Sequence, residues 1–359
     1  MKSKVLFASV AYERYEADCT LPAKFDRLLE STELAEKVKG RHTAVKMHLG
    51  RNIGFTTIHP LFIKKLIDKL LAWGAKPYIT DQTTDGARYR GYTEDFLGCK
   101  VVDTNGVLGK YYYEKYVDFK TFKNVDISGH IHDAEFMIDL SHAKGHGACG
   151  FGGACKNIAM GCVTDRTRGQ IHALEGGITW DENKCIHCDQ CVKSCNHYAN
   201  EFVDGKYEVN FHHCTYCQHC VKVCPNEALV MDANHYHDFQ TGMALCTKTV
   251  LDTFDKDSVY YINFLTNITA LCDCWGLSTP SLVPDIGIMA SSDIVAIERA
   301  SVDAIKFEDL LPNSTPKGVE LGTKGHLFER LHGVEPYTQI NELEKAGLGS
   351  QEYAFEDIS

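Results

Sequence analysis

Eight cysteines stand in two runs of identical spacing. The first is Cys185-Ile-His-Cys188-Asp-Gln-Cys191-Val-Lys-Ser-Cys195, and the second is Cys214-Thr-Tyr-Cys217-Gln-His-Cys220-Val-Lys-Val-Cys224-Pro225. Each reads C-x₂-C-x₂-C-x₃-C. Three thiolates in so short a loop reach three corners of a 4Fe–4S cube, and the fourth corner must come from further along the chain. In the two-cluster arrangement it comes from the last cysteine of the other run. The spacing therefore predicts Cys185, Cys188, Cys191 and Cys224 on one cluster, with Cys214, Cys217, Cys220 and Cys195 on the other. A pair of structural zinc sites is the competing reading of C-x₂-C. Four-coordinate zinc, however, leaves the third cysteine of each triplet without a role. The chain is expected to move electrons. His187, His212, His213 and His219 lie among the ligands and are expected to hydrogen-bond or tune potential rather than ligate.

A second constellation is richer in cations. Gly145-His-Gly-Ala-Cys-Gly150 follows a strand-like stretch and runs on through Gly152-Gly153 to Lys156-Asn157. A dinucleotide fingerprint would need a helix opening at the third glycine and an acidic residue about twenty positions on. Phe151-Gly152-Gly153 is a poor helix start, so the preferred reading is a backbone nest for a carboxylate or phosphate. Lys144, His146 and Lys156 would be its charge partners, and Gly152, Gly153 and Asn157 would complete the loop. A loop that merely packs closely is the plain alternative. Lys46, His48 and Asp81 fall at the predicted carboxyl ends of strands, where open α/β sheets place their sites. Lys46 or His48 is a candidate proton donor.

The elements that must carry these residues alternate. Lys4–Val10, Thr43–Leu49, Lys76–Thr80, Phe136–Leu140, Val259–Leu265 and Asp285–Ala290 read as strands; Phe25–Lys39, Leu61–Trp73 and Ile294–Ile305 have helical spacing. That alternation predicts an α/β fold, a mostly parallel sheet with flanking helices. Between residues 178 and 232 cysteine and histidine concentrate, and Phe202–Val209 reads as a hairpin turning at Asp204-Gly205. The expected organisation is residues 1–177 as the first part of the α/β domain, 178–232 as an inserted α+β ferredoxin-like module, and 233–359 as the second part and C-terminal tail. So small a module needs its two clusters as interior. The tail after Leu310 is expected to wrap the surface.

Composition narrows the classes. The chain has 359 residues, 44% hydrophobic and 24% charged, with a formal net charge of −11. The acidic balance argues against nucleic acid or an anionic membrane as partner, and no apolar run reaches the length of a membrane span. Sixteen cysteines without a secretory signal point to a reduced cytoplasm and an anaerobic setting rather than a disulfide scaffold.

Further stretches carry a resemblance. Asp139-Leu-Ser-His-Ala-Lys-Gly-His-Gly147, Gly150-Phe-Gly-Gly-Ala-Cys-Lys-Asn-Ile-Ala-Met-Gly-Cys162, Ala44–Gly50, Gly74–Asp81, Cys272-Asp-Cys-Trp275 and Pro284–Asp293 resemble the family catalogued as domain of unknown function 362. The likeness spans roughly residues 40 to 305. It implies a two-cluster ferredoxin insert in this position, and no settled reaction. Cys155, Asn196 after Cys195, and Glu298 depart from the usual family pattern. Because Cys162, Cys272 and Cys274 lie in the shared motifs, they are candidates for a third iron–sulfur cluster or soft metal site. Residues two apart on a strand share a face, so Cys272 and Cys274 would point together into a cleft; buried free thiols are the alternative. Cys19, Cys99, Cys149, Cys155 and Cys246 are expected to be structural or surface residues.

The leading expectation is an iron–sulfur oxidoreductase that passes electrons from two 4Fe–4S clusters to a small anionic substrate or third metal site in the α/β cleft. A non-enzymatic ferredoxin-like carrier and a metal or cofactor maturation factor are the alternatives. The implied redox partner is a ferredoxin, a flavodoxin or an oxidoreductase.

Overall fold

The computed structural model describes residues 2–82, 84–195, 198–210, 214, 219–233, 235–315, 317 and 319–358. In chain order the strands are β1 (Ser3–Ser9), β2 (His42–Met47), β3 (Lys76–Asp81), β4 (Lys100–Asp103), β5 (Tyr112–Phe119), β6 (Phe122–Ser128), β7 (Phe136–His142) and β8 (Lys144–His146). Then come β9 (Gly150–Gly152), β10 (Gly176–Trp180), β11 (Asn200–Val203), β12 (Lys206–Val209), β13 (Leu229–Ala233), β14 (Val259–Leu265), β15 (Gly287–Ser291) and β16 (Tyr353–Asp357). The helices are α1 (Leu21–Glu30), α2 (Leu34–Lys37), α3 (Pro60–Ala72), α4 (Glu94–Leu97), α5 (Gly129–His132), α6 (Ala154–Gly161) and α7 (Asp165–His172). They continue with α8 (Gln190–Lys193), α9 (His219–Lys222), α10 (Tyr236–Leu251), α11 (Ile294–Ala304), α12 (Leu327–His332) and α13 (Tyr337–Lys345).

Eight strands form one sheet in the order β16-β1-β15-β14-β7-β2-β3-β4. Neighbours run parallel except at β15, which is antiparallel to both β1 and β14. Central β7 is buried on both faces, as a strand between two helical layers must be. The period of two then divides its side chains. Met137 joins Ala44 and Tyr261 in one core, under α6, α10, α11 and α13; Ile138 joins Val45 and Ile262 in the other, under α1 and α3. The expected mostly parallel α/β sheet is therefore what the chain forms.

Two expectations need correction. Phe25–Lys39 is not one helix, because Ser31 Oγ and Thr32 Oγ1 donate to the carbonyls of Arg27 and Leu29. Such local bonds compete with the helical ladder and end α1. The tail does more than wrap the surface. Leu327, Phe328, Ile340 and Leu343 are fully buried in the core, and β16 extends the sheet beside β1.

The cysteine-rich segment leaves and returns side by side, through antiparallel pairing of β10 with β13 from Gly176↔Ala233 to Trp180↔Leu229. Within it β11 and β12 form the expected hairpin, closing at Val203↔Lys206. Asp204 and Gly205 turn it with φ of 51° and 77°, the left-handed pair a two-residue hairpin loop requires. No helix among the described residues is long and apolar enough to cross a membrane.

Candidate functional site

The carboxyl ends of β2, β3 and β7 open into a cavity of about 100 Å³. Register explains what sits there: Lys46 of β2 pairs with Thr80 of β3 on one side and Asp139 of β7 on the other. The buried Lys46 Nζ is 3.0 Å from Asp81 Oδ1 and donates to Asn157 Oδ1 at 2.7 Å. Asn157, on α6, donates in turn to Asp139 Oδ1 at 2.8 Å. Asp81 also binds His48 Nδ1 at 2.8 Å and accepts the Leu49 N–H at 3.0 Å. Burial alone would raise the Asp81 carboxyl, but Lys46 and His48 prevail and hold it well below the usual range. His48 Nε2 is buried without a partner among the described residues. With Nδ1 engaged by a carboxylate, that is the arrangement in which Nε2 exchanges a proton with a bound molecule.

Close approach at α6 depends on a missing side chain. A Cβ on Gly161 would lie 2.2 Å from Lys46 Cε and Nζ, so only glycine admits the lysine. Asp139, buried beneath, is pushed up to about 8 by burial, against the Ser141, Lys46 and Asn157 contacts that oppose it.

The opposite wall comes from the loop after β14. Asp273 binds Lys144 Nζ at 2.6 Å and His142 Nδ1 at 3.0 Å. Lys144 also donates to Thr56 O and Oγ1 and does not line the cavity. It is a buried strut for the Asp273 loop, not the anion partner expected from sequence, because Asp273 and Thr56 hold its ammonium. His142 faces the cavity, but Asp273 and the Thr266 carbonyl engage both its nitrogens. His146, Gly152, Gly153, Lys156 and Asn157 do line the cavity.

The backbone nest expected at Gly152-Gly153 is already filled. Glu298 of α11 accepts the N–H groups of Ala154 at 2.7 Å and Cys155 at 3.2 Å, neutralising the α6 N-terminus from within. Gly153 is what lets it in, since a Cβ there would lie 2.2 Å from Glu298 Oε1. Burial raises that carboxyl to about 7 against the two amides. The cation facing the cavity is Lys156, which forms no ion pair among the described residues. Arg51 and Arg168 add charge at the mouth.

Cys272 and Cys274 are joined as a disulfide across one residue. They sit at a 3-10 turn (Asp273–Trp275), not on a strand. Cys162 is not with them: it is wholly buried in the core, where burial pushes its thiol far above the ordinary range. The third member of the group is His146, its ligand atom and the two sulfurs all within 4.8 Å. Lys156 Nζ donates to Cys274 Sγ at 3.3 Å.

In the cysteine-rich segment, Cys185, Cys188, Cys191 and Cys224 line one small cavity walled by Trp180, Phe202 and Tyr207. The described parts of the two runs repeat one local geometry. Cys195 Sγ accepts from Ala199 N at 3.3 Å, and Cys224 Sγ from Ala228 N at 3.2 Å. Cys191 and Cys220 share the segment's small core with Leu229. Cys214 and Cys220 are described; Cys217, His212 and His213 lie outside the described residues. Val209 and Asn210, at the end of β12, share a groove with Cys274, Trp275, Arg168 and His172. The segment therefore abuts the cavity mouth.

Asp273, Arg51, Arg168 and His172 escaped the sequence reading. Asp273 stands between the two quoted cysteines and had a findable signal: an acidic residue in an otherwise apolar buried loop must be there for a partner.

A family model described as Domain of unknown function (DUF362) matches residues 43–303. Among solved structures the chain is similar to the lactate racemase apoprotein from Thermoanaerobacterium thermosaccharolyticum, with 11% identity and a TM-score of 0.36 over 74% of this chain and 51% of that one. It is also similar to a Thermotoga maritima protein, with 11% identity and a TM-score of 0.37 over 70% and 52% of the two chains. The chain thus spans about half the length of each. No curated protein matches it.

Proposed function

The chain belongs to the DUF362 family, and on that premise we propose that it is an iron–sulfur oxidoreductase whose cysteine-rich segment serves the cavity beside it. The observation that carries this reading is the shared groove of Asn210 and Cys274, which sets the end of β12 against the cavity mouth. Cys214 follows at once, its N–H donating to Asn210 O at 3.0 Å.

The residues fit the group. Cys185, Cys188 and Cys191 meet Cys224 of the other run around one cavity, the crosswise set that two 4Fe–4S clusters demand. Backbone N–H groups aimed at Cys195 and Cys224 stabilise thiolates and tune potential. Cys195, Cys214, Cys217 and Cys220 would hold the second cluster. When bound, such clusters supply and accept single electrons.

In the cavity, Lys156 and Arg51 hold a small anionic substrate. His48 Nε2, fixed by Asp81, takes or gives its proton. Lys46 neutralises Asp81. Asn157 locks Lys46 to β7.

Anaerobically purified protein is expected to carry about eight irons and eight sulfides per chain; stoichiometric zinc, or no iron, refutes the cluster reading. Calorimetric titration with inorganic phosphate and small carboxylates tests the cavity. Lys156→Met should weaken binding by roughly tenfold or more, the worth of one charge-assisted hydrogen bond. Equal affinity in the variant would remove the anion site.

A further inference from the structure

We infer that Cys272 and Cys274 are a redox-active pair: a disulfide in the cavity wall that stores two electrons as a dithiol and hands them together to an oxidised anionic substrate. For the source of its electrons the inference rests on the iron–sulfur reading above.

Position sets this bond apart from a structural staple. It bridges residues two apart, and a loop so short removes little entropy from the unfolded chain. Both sulfurs line the cavity, and Cys274 also reaches the outer groove. Where thiols are kept reduced, disulfides that do form are characteristically catalytic or redox-sensing. Its neighbours suit thiol chemistry. Lys156 Nζ lies against Cys274 Sγ at 3.3 Å, where an ammonium stabilises a departing thiolate. His146 completes the group, and its Nδ1 accepts the Ala148 N–H, which leaves Nε2 as the nitrogen that carries the proton.

The step balances. On taking up two electrons, delivered singly by iron–sulfur donors, the S–S bond breaks and two protons convert the sulfurs to two thiols. His146, with a ring nitrogen within 4.8 Å of both sulfurs, carries the protons. In the return step the two thiols give two electrons and two protons to the substrate, and the S–S bond reforms. A one-electron supply becomes a two-electron delivery. Asn210, whose carbonyl accepts the Cys214 N–H, lines the same groove as Cys274. On the flank, Tyr236 lies near both Cys214 and Glu175, and Glu175 binds His172 of the cavity at 2.6 Å.

The test is differential alkylation of the anaerobically purified full chain, read by peptide mass spectrometry. Oxidation with diamide should hide two sulfurs, on Cys272 and Cys274, and dithionite with methyl viologen should expose them reversibly. Cys220→Ser should slow opening by viologen roughly tenfold and leave opening by dithiothreitol unchanged. Should that variant not fold, Lys156→Met serves, because opening by dithiothreitol must then slow by a similar factor. Equal alkylation under both conditions overturns the inference, and so does a metal that shields the reduced pair. Eight irons with no reversible bond sinks the pair alone. A chain without iron whose bond opens reversibly upholds the pair and sinks the cluster reading.

Discussion

Gly161→Ala and Gly169→Ala should shift stability in opposite directions, although both glycines are helical and lie eight residues apart. Replacing a helical glycine by alanine ordinarily stabilises by up to about 1 kcal/mol. Gly169 obeys that rule, since nothing lies within 4 Å of its added Cβ. At Gly161 the new Cβ would sit 2.2 Å from Lys46 Nζ and 3.2 Å from Asp81 Oδ1. A lysine tip is usually free to swing aside. This one is not, because Asp81 and Asn157 hold it and its side chain is 1% exposed. Moving it breaks a buried ion pair, at about 3–5 kcal/mol. Set against the helix gain, the net loss is about 2–4 kcal/mol. With a urea m-value of about 3 kcal/mol/M, the midpoint falls by roughly 0.7–1.3 M. Urea titration followed by far-ultraviolet circular dichroism of both variants measures it. A Gly161→Ala midpoint equal to or above wild type would refute the fixed placement of Lys46, and with it the positioning of Asp81 and His48.

Asp273→Asn should destabilise by about 3–5 kcal/mol, because it leaves the Lys144 ammonium buried without a carboxylate; adding Lys144→Met should recover much of the loss, and urea midpoints of the two variants decide it. The second prediction concerns pH. From about pH 4, the ordinary carboxyl value, to about pH 8 the folded chain keeps a proton on Asp139 that the unfolded chain has lost. The folded state binds more protons, so this group's contribution falls as pH rises through that window and levels off above it. Asp139→Asn should therefore gain stability relative to wild type between pH 5 and pH 8, and a pH-independent difference would mean that Asp139 is ionised in the fold.

What could be read from the chain alone follows the range of the forces involved. Strand ends are local, so Lys46, His48 and Asp81 were placed at the sheet's carboxyl edge, and they meet there. The glycine run was read as a nest for an external anion, because nothing near it in sequence shows that Glu298, 145 positions beyond Gly153, supplies the carboxylate. Lys144 was misassigned for a related reason. Its partners Asp273 and Thr56 arrive from 129 and 88 residues away, and nothing near Lys144 in sequence shows that they take up its ammonium. Cys162 is grouped with Cys272 and Cys274 because all three lie in the shared motifs, whereas the fold buries Cys162 in the core and gives the other two a lysine and an imidazole in the cavity wall. That same distinction links the two proposals. A cysteine pair would serve an electron-carrying segment only from the segment's edge, and Asn210 and Cys274 line one groove there.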